Sequence, residues 1–140
     1  MVIKTILIFL IALLGYSEWL TGTSYLQRPI VLGPLVGLVM GDMVTGTIMG
    51  ATMELAMVGA ISVGAYNPPD TISGTILGVS LAMQAGADAS AALTLGIPIA
   101  TIVLALDTAL GQPVMLLLVH RIDKNCLLYT SDAADEARSV

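Results

Sequence analysis

Residues 29–119 constrain this chain more than any other feature, because they are predominantly apolar, contain no Lys or Arg, and still carry five acids. The acids are Asp42, Glu54, Asp70, Asp88 and Asp107. One Asp facing lipid at the middle of a membrane helix costs roughly 2.5 to 3.5 kcal/mol, so five would cost on the order of 12 to 17 kcal/mol. We therefore expect most of them at helix ends, between helices or beside a wet path, where backbone N–H groups, water or a polar solute serve as partners.

The composition predicts an all-α membrane protein. Of 140 residues, 56% are hydrophobic and 11% are charged, whereas about a quarter are charged in soluble domains. Aromatic residues make up 4% of the chain and no alternating strand pattern is present, which disfavours an outer-membrane barrel. Helices are the remaining way to satisfy backbone groups in lipid. No basic patch indicates nucleic acid as a partner.

The first apolar run, residues 6–16, reaches the length of a membrane span when its flanking residues are added. A secretory signal peptide is the alternative, but no Ala-x-Ala site follows, so we expect a retained helix. The later runs are short or broken, namely residues 29–41, 43–66, 71–87 and 91–119. Pro34 interrupts the first of these four, residues 67–70 end the second, and Pro98 and Pro113 punctuate the last. Such segments are typical of re-entrant or discontinuous helices beside a transport site, although a bundle of kinked helices would show the same pattern.

Glycines recur at four-residue spacing at Gly33, Gly37 and Gly41, at Gly46 and Gly50, and at Gly74 and Gly78. In lipid, such faces let helix backbones approach closely. They predict a tightly packed multi-helix core, although no tandem repeat of 20 to 50 residues is evident.

The end of the chain, CLLYTSDAADE at residues 126–136, abandons this apolar character. It resembles the translation of a sequencing adapter, so we expect residues 126–140 to be a non-native tail and residues 1–125 to be the membrane domain. A short native polar tail is the alternative. Cys126 is the single cysteine, which excludes a disulfide within the chain.

Glu54 is the first candidate for a functional side chain. On a helix it shares a face with Thr47 and Gly50, which predicts an acid that faces a cavity. Its two oxygens suit a polyol, which offers hydroxyl donors in pairs. The alternative is a protonated carboxyl that hydrogen-bonds a neighbouring helix.

Asp42 precedes a long apolar run and is expected to cap a helix. It lies about 18 Å along a helix from Glu54, too far for the two to act as a catalytic pair. Residues 64–70, GAYNPPD, are the most specific local motif. Two prolines force an extended turn, Asn67 and Asp70 both offer polar groups, and Asp70 is also placed to cap a helix that begins at Thr71.

The run from Arg28 to Ile99 resembles the membrane permease subunit, enzyme IIC, of the mannose-fructose-sorbose family of the bacterial phosphotransferase system. The matching marks are Arg28-Pro29, Gly41-Asp42, Glu54-Leu55 followed by Gly59, and Gly64-Ala65 leading to Pro69-Asp70. The resemblance covers nearly all of residues 1–120 and implies a subunit in the bacterial plasma membrane that crosses it several times. Its expected partners are a membrane protein, enzyme IID, and the cytoplasmic enzymes IIA and IIB, which carry phosphate on histidines.

Members of that family are about twice as long and contain inverted-topology halves, so the resemblance implies that this chain is an N-terminal half. It places Glu54, Asn67 and Asp70 near the sugar, with Gln84 and Asp88 as weaker candidates, because residues 86–89 are equally typical of a turn between helices. Arg28 and Asp42 are expected to be structural supports. His120 lies beside Arg121 at the end of a span and is expected to be an interfacial residue, not a phosphorylated one.

A sugar permease is therefore the first functional hypothesis, and an oligomer is expected. A cation- or proton-coupled carrier is the alternative, because unpaired intramembrane acids suit it as well. An intramembrane aspartyl protease would need a second Asp at pairing distance from Asp42, and none is evident. The sequence shows no metal-ligand cluster, no nucleophile-base triad and no phosphate loop, so we expect no metal, no cofactor and no catalysis from this chain alone.

Overall fold

The computed structural model describes the backbone of residues 2–17, 22, 25–61, 63–64 and 66–136, and side chains in these ranges up to residue 124. This part of the chain forms five α-helices and no strand: α1 Val2–Tyr16, α2 Pro29–Met40, α3 Met43–Met57, α4 Thr71–Gln84 and α5 Ala89–Glu136. The all-α prediction is confirmed. Contacts divide the chain into two units, of which the first ends at Leu104 and the second begins at Ala105.

Helices α2 and α3 form a tight antiparallel hairpin. Helix α2 begins at Pro29, which suits a helix start because its missing N–H would have no helical partner there. It ends at Gly41, whose φ of 104° lies in the left-handed region that glycine adopts without strain. The Gly41 N–H donates to the Gly37 carbonyl, and Asp42 begins α3 directly afterwards.

Glycines let the two helices of this hairpin touch through their backbones. Gly33 faces Gly50, and Gly37 faces Gly46; a Cβ built on Gly33 would lie 2.5 Å from the Gly50 Cα. One built on Gly37 would lie 2.8 Å from the Gly46 Cα. Glycines at four-residue spacing therefore allow the two helix backbones to approach closely, as the sequence predicts.

Helix α4 and the first part of α5 repeat this design. A Cβ on Gly74 would lie 2.9 Å from both the Ala100 Cβ and the Gly96 carbonyl oxygen, and one on Gly78 would lie 2.8 Å from the Gly96 Cα. The first unit thus contains two glycine-packed hairpins in succession. This recurrence was not evident from the sequence as a tandem repeat.

The two hairpins pack against each other and point the same way. Met53 of α3 is fully buried and packs against Gly96 of α5. A Cβ built on Gly96 would lie 2.5 Å from the Met53 Cε. Met53, Met57 and Ala100 form one core cluster. A larger cluster joins the hairpins to α1 and contains Ile11, Leu32, Val36, Met49, Ile72, Ile76, Val79, Ala82 and Ala92.

Helix α1 runs antiparallel to α2 and α4. Near its start, Lys4 Nζ donates to the Met40 carbonyl at 3.2 Å, so a cation meets the C-terminus of α2. At its end, the Tyr16 hydroxyl donates to Asp70 at the start of α4. These contacts define two ends of the first unit. We call the end with Tyr16, Arg28, Glu54 and Asp70 the base, and the end with Asp42, Gln84 and Asp88 the turn end.

Helices α2, α3 and α4 are shorter than the apolar runs that contain them, whereas α1 and α5 extend beyond theirs. Helix α3 ends at Met57, although its run continues apolar to Tyr66, because Gly59 and then Gly64, with φ of 64°, interrupt it. Pro98 and Pro113 do not end α5, which continues to Glu136. Residues 18–21, among which are flanking residues that were expected to extend the first span, lie outside the described residues.

Among the described helices, α5 alone is long and apolar enough to cross a bilayer by itself, over Ala89–Lys124 with mean hydropathy 2.1. Helices α1, α2 and α4 are apolar but have 15, 12 and 14 residues. At about 1.5 Å per residue, none of these three reaches the roughly 30 Å of a hydrocarbon core. The prediction that residues 29–41 are too short for a full crossing agrees with the 12 residues of α2. The expectation that the first run reaches the length of a membrane span does not agree with the 15 residues of α1.

Candidate functional site at the base of the hairpins

Glu54 lies at the base, one turn before the end of α3, and is held by two donors of the facing helix start. Its Oε1 accepts from Arg28 Nη2 at 2.5 Å, and its Oε2 accepts from the Ile30 N–H at 3.4 Å. Pro29 has no N–H, so Ile30 carries the first donor that α2 can offer. The carboxylate therefore meets a guanidinium and the positive end of a helix together.

The ion pair is a finding that the sequence reasoning missed. We expected Glu54 to bind backbone groups, water or solute because residues 29–119 contain no base. Its partner lies one position before that stretch. The side chain of Arg28 is 33% exposed and that of Glu54 is 15% exposed, so the pair is partly shielded but reachable from outside.

Asp70 caps α4, as its position in the motif predicts. Its Oδ1 accepts from the Ile72 N–H and its Oδ2 from the Ser73 N–H, each at 3.3 Å. The Tyr16 hydroxyl also donates to Oδ2 and lies 2.6 Å from the Ser73 Oγ. The Asp70 N–H in turn donates to the Ala100 carbonyl at 3.3 Å.

Tyr16 is a second residue that the sequence reasoning missed. It comes from α1, 54 positions from its carboxylate partner, and neither residue carries a local signal of the pairing. Asn67 lies between the end of α3 and Asp70 along the chain, in the segment before α4, and it is exposed. Arg28, Glu54 and Asp70 thus lie at the base, and Asn67 is three residues before Asp70 in the sequence.

The turn end holds the other predicted residues. Asp42 caps α3 by accepting from the Val44 and Thr45 N–H groups at 3.1 Å each, and it also accepts from the Thr45 hydroxyl at 2.5 Å. These hydrogen bonds, those from Thr45 first, hold the pKa of the Asp42 carboxyl below its usual value. Gln84 is the last residue of α4 and is exposed.

A cavity of about 450 Å³ lies between the two turns and is lined by residues of both, including Asp42 and Asp88. It shows that the two turns are neighbours. Asp70 and Gln84 occupy opposite ends of α4, about 21 Å apart for fourteen helical steps. Gln84 therefore cannot contact the same hexose as Asp70, and the structure does not bring it together with Glu54.

The other two acids of residues 29–119 belong to α5 or to the residue just before it. Asp88 precedes the helix and Asp107 lies within it, and both are exposed. Within the described residues, no three His, Cys, Asp or Glu side chains come close enough together to hold a metal ion.

Residues 2–128 match the family described as the sorbose-specific IIC component of the phosphotransferase system, EII-Sor. This chain belongs to that family. As a IIC chain it is 38% identical over 94 residues to N-acetylgalactosamine permease IIC component 2 of Escherichia coli (strain K12), a match that covers 67% of this chain and 71% of the relative. It is 37% identical over 89 residues to component 1 of the same strain, covering 64% of this chain and 33% of that relative.

A solved structure of similar fold is the mannose transporter ManYZ in complex with microcin E492. The similarity has a TM-score of 0.75 at 28% sequence identity, and it covers 90% of this IIC chain and 50% of the other. The chain thus spans about half the length of the solved relative it matches. This chain therefore has the helical fold of that membrane transporter. Together with the family match, the similarity shows that the chain is a membrane protein.

Proposed function

We propose that this chain is the sugar-translocating membrane subunit of a phosphotransferase system, which binds a hexose-type sugar at the base. The observation that carries the proposal is the Arg28–Glu54 pair. It holds a partly exposed carboxylate against a guanidinium at the end of two closely packed apolar helices. A sugar is neutral and polar, so a balanced donor and acceptor pair suits it better than an isolated charge.

Glu54, Asn67 and Asp70 are the proposed sugar ligands of this chain. Within the part of the chain that the structure describes, Asp70 Oδ1 receives one hydrogen bond, and since a carboxylate oxygen accepts about two, one acceptor position remains there for the sugar. Gln84 belongs to the turn end, so we assign it to a separate point on the sugar's route. Asp42 supports α3 through its cap, and Arg28 supports Glu54.

The relatives support the assignment of substrate class and partners. Their names specify N-acetylgalactosamine permease components, and the solved relative is the mannose transporter ManYZ. We infer that this chain works with a membrane partner of the enzyme IID type. Cytoplasmic IIA and IIB proteins would deliver the phosphoryl group, and the whole would sit as an oligomer in the bacterial plasma membrane, crossing it several times.

The carrier alternative draws less support from the contacts. Three of the five acids are already engaged: Asp42 and Asp70 cap helices, and Glu54 pairs with Arg28. A cation that bound Glu54 would have to displace the Arg28 guanidinium. The two hypotheses differ in their dependence on the phosphoryl donor, which a cation carrier does not need.

Uptake of radiolabelled sugar by the full-length protein, expressed with its membrane partner, tests the proposal. Glu54→Gln and Asp70→Asn are expected to reduce uptake at least tenfold at equal expression, because each replaces a charged acceptor by an amide. Asp123→Asn is the matched control, since Asp123 is exposed beyond the first unit. Unchanged uptake in both variants would remove these two residues from the site.

A further inference from the structure

The Arg28 guanidinium is only partly used by the contacts at the base. It has five N–H donors, and within the described residues its side chain bonds Glu54 alone, through Nη2. A third of the side chain is exposed, twice the exposed fraction of Glu54. A guanidinium that served only to neutralise Glu54 would have no need to present donors beside it.

The Glu54 carboxylate is also incompletely used. Arg28 occupies one position on Oε1, and the Ile30 N–H makes a long contact of 3.4 Å to Oε2. Counting only donors from the described residues, each oxygen retains room for a second donor. Free donors and free acceptors stand next to each other at one partly exposed place.

We propose that Arg28 is itself a sugar ligand, and that it and Glu54 together bind two neighbouring hydroxyls of the substrate. One hydroxyl donates to the carboxylate, and the oxygen of the next accepts from a guanidinium N–H. A carboxylate alone can only accept, whereas a vicinal diol offers both donors and acceptors. This inference rests on the proposed function and extends it, because the sequence assigned Arg28 only a supporting role.

The first test replaces Arg28 by Lys in the full-length protein with its membrane partner. Lys keeps the positive charge beside Glu54 but loses the planar fork of donors. The probes are radiolabelled mannose and N-acetylgalactosamine. We expect KM to rise about tenfold or more, the loss of one charged hydrogen bond, with a smaller change in kcat. Arg121→Lys makes the same replacement at an exposed position of α5 and is expected to change neither.

The second test separates direct contact from support. Singly deoxygenated forms of the sugar that wild type binds are compared in wild type and in Arg28→Lys, as a double-mutant cycle between side chain and hydroxyl. If Arg28 touches one hydroxyl, wild type loses about tenfold in affinity for the form that lacks it, and Arg28→Lys loses almost nothing further. Thermal unfolding of the variant should match that of wild type.

The outcomes distinguish the two proposals. If every deoxy sugar is weakened by the same factor in wild type and in Arg28→Lys, Arg28 only supports Glu54 and this inference is overturned while the site stands. An unchanged KM in Arg28→Lys overturns it as well. If wild type binds neither sugar and takes up no hexose, the proposed function itself fails.

Discussion

Glu54 shows how a membrane protein retains a carboxylate in an apolar helix. Removing a charge from water costs several kcal/mol unless a partner and hydrogen bonds compensate. Arg28 and the Ile30 N–H supply both at the start of the facing helix. Removing one partner of such a pair leaves the other charge uncompensated. Arg28→Gln should therefore lower the free energy of unfolding more than Arg28→Lys does.

At the other side of the base, Tyr16 attaches α1 to α4 through Asp70 and Ser73. We expect Tyr16→Phe to lower the free energy of unfolding by about 1 kcal/mol, the usual net value of one hydrogen bond. Thermal unfolding in detergent checks this. Tyr25→Phe is the control, because Tyr25 is 66% exposed; equal midpoints for the two variants would show that the contact does not hold α1.

Asp42 gives a prediction with a defined pH window. Its folded pKa is lowered below 3.8 by hydrogen bonds from Thr45, so its stabilising contribution is present above 3.8 and is lost as pH falls through the lower, folded pKa. Asp42→Ala should therefore unfold at a lower temperature than wild type at neutral pH, and the difference should shrink well below pH 3.8. Asp42→Asn keeps a capping oxygen but has no carboxylate to titrate, so it should differ from wild type less than Asp42→Ala does at neutral pH, and this smaller difference should also shrink at low pH. A difference for Asp42→Ala that stays constant with pH would contradict the assignment.

At the scale of the elements, the facing glycines of each hairpin, which we call its glycine seam, decide how closely the two helices approach. The atoms opposite Gly33 are backbone atoms of Gly46 and Gly50, which cannot move aside as a flexible side chain can. The second hairpin has the same property at Gly78. Packing of this kind replaces the hydrophobic effect as the force that joins helices in lipid.

Gly33→Ala is expected to destabilise the first hairpin by about 1 to 3 kcal/mol, the usual cost of overpacking. Its new Cβ would lie 2.5 Å from the Gly50 Cα, so the helices must separate. Gly59→Ala is the matched control, because nothing lies within 4 Å of its Cβ position. The measurement is thermal unfolding of both variants in detergent. An equal fall in unfolding temperature for the two variants would contradict the claim that close glycine contacts stabilise the hairpin.

The sequence predicted the seams but not their pairing. Spacing showed that Gly33, Gly37, Gly46 and Gly50 lie on helix faces, whereas which glycine meets which depends on the exact place of the turn at Gly41. The length of α3 was overestimated, because hydropathy continues past Met57 while the helix stops. The helix caps at Asp42 and Asp70 were predictable, since capping depends on the next three residues only.

At the scale of the molecule, the first unit separates its polar groups into two ends. Each hairpin begins at the base and turns at the other end, so helix length alone places Gln84 and Asp42 about 18 to 21 Å from Asp70 and Glu54. The sequence identified these residues as candidates but did not predict at which end each one lies, because that depends on the direction of each helix. The Arg28–Glu54 and Tyr16–Asp70 contacts join positions that are 26 and 54 residues apart along the chain, and no local pattern encodes them.

Protection of introduced cysteines by sugar tests the central claim, that the base and not the turn end binds substrate. In a full-length protein whose native cysteines are replaced by serine, Tyr66→Cys reports on the base and Ala85→Cys on the turn end; both positions are exposed and neither is a proposed ligand. Saturating mannose or N-acetylgalactosamine is expected to slow thiol labelling at position 66 severalfold and to leave position 85 unchanged. Protection at position 85 without protection at position 66 would contradict the account.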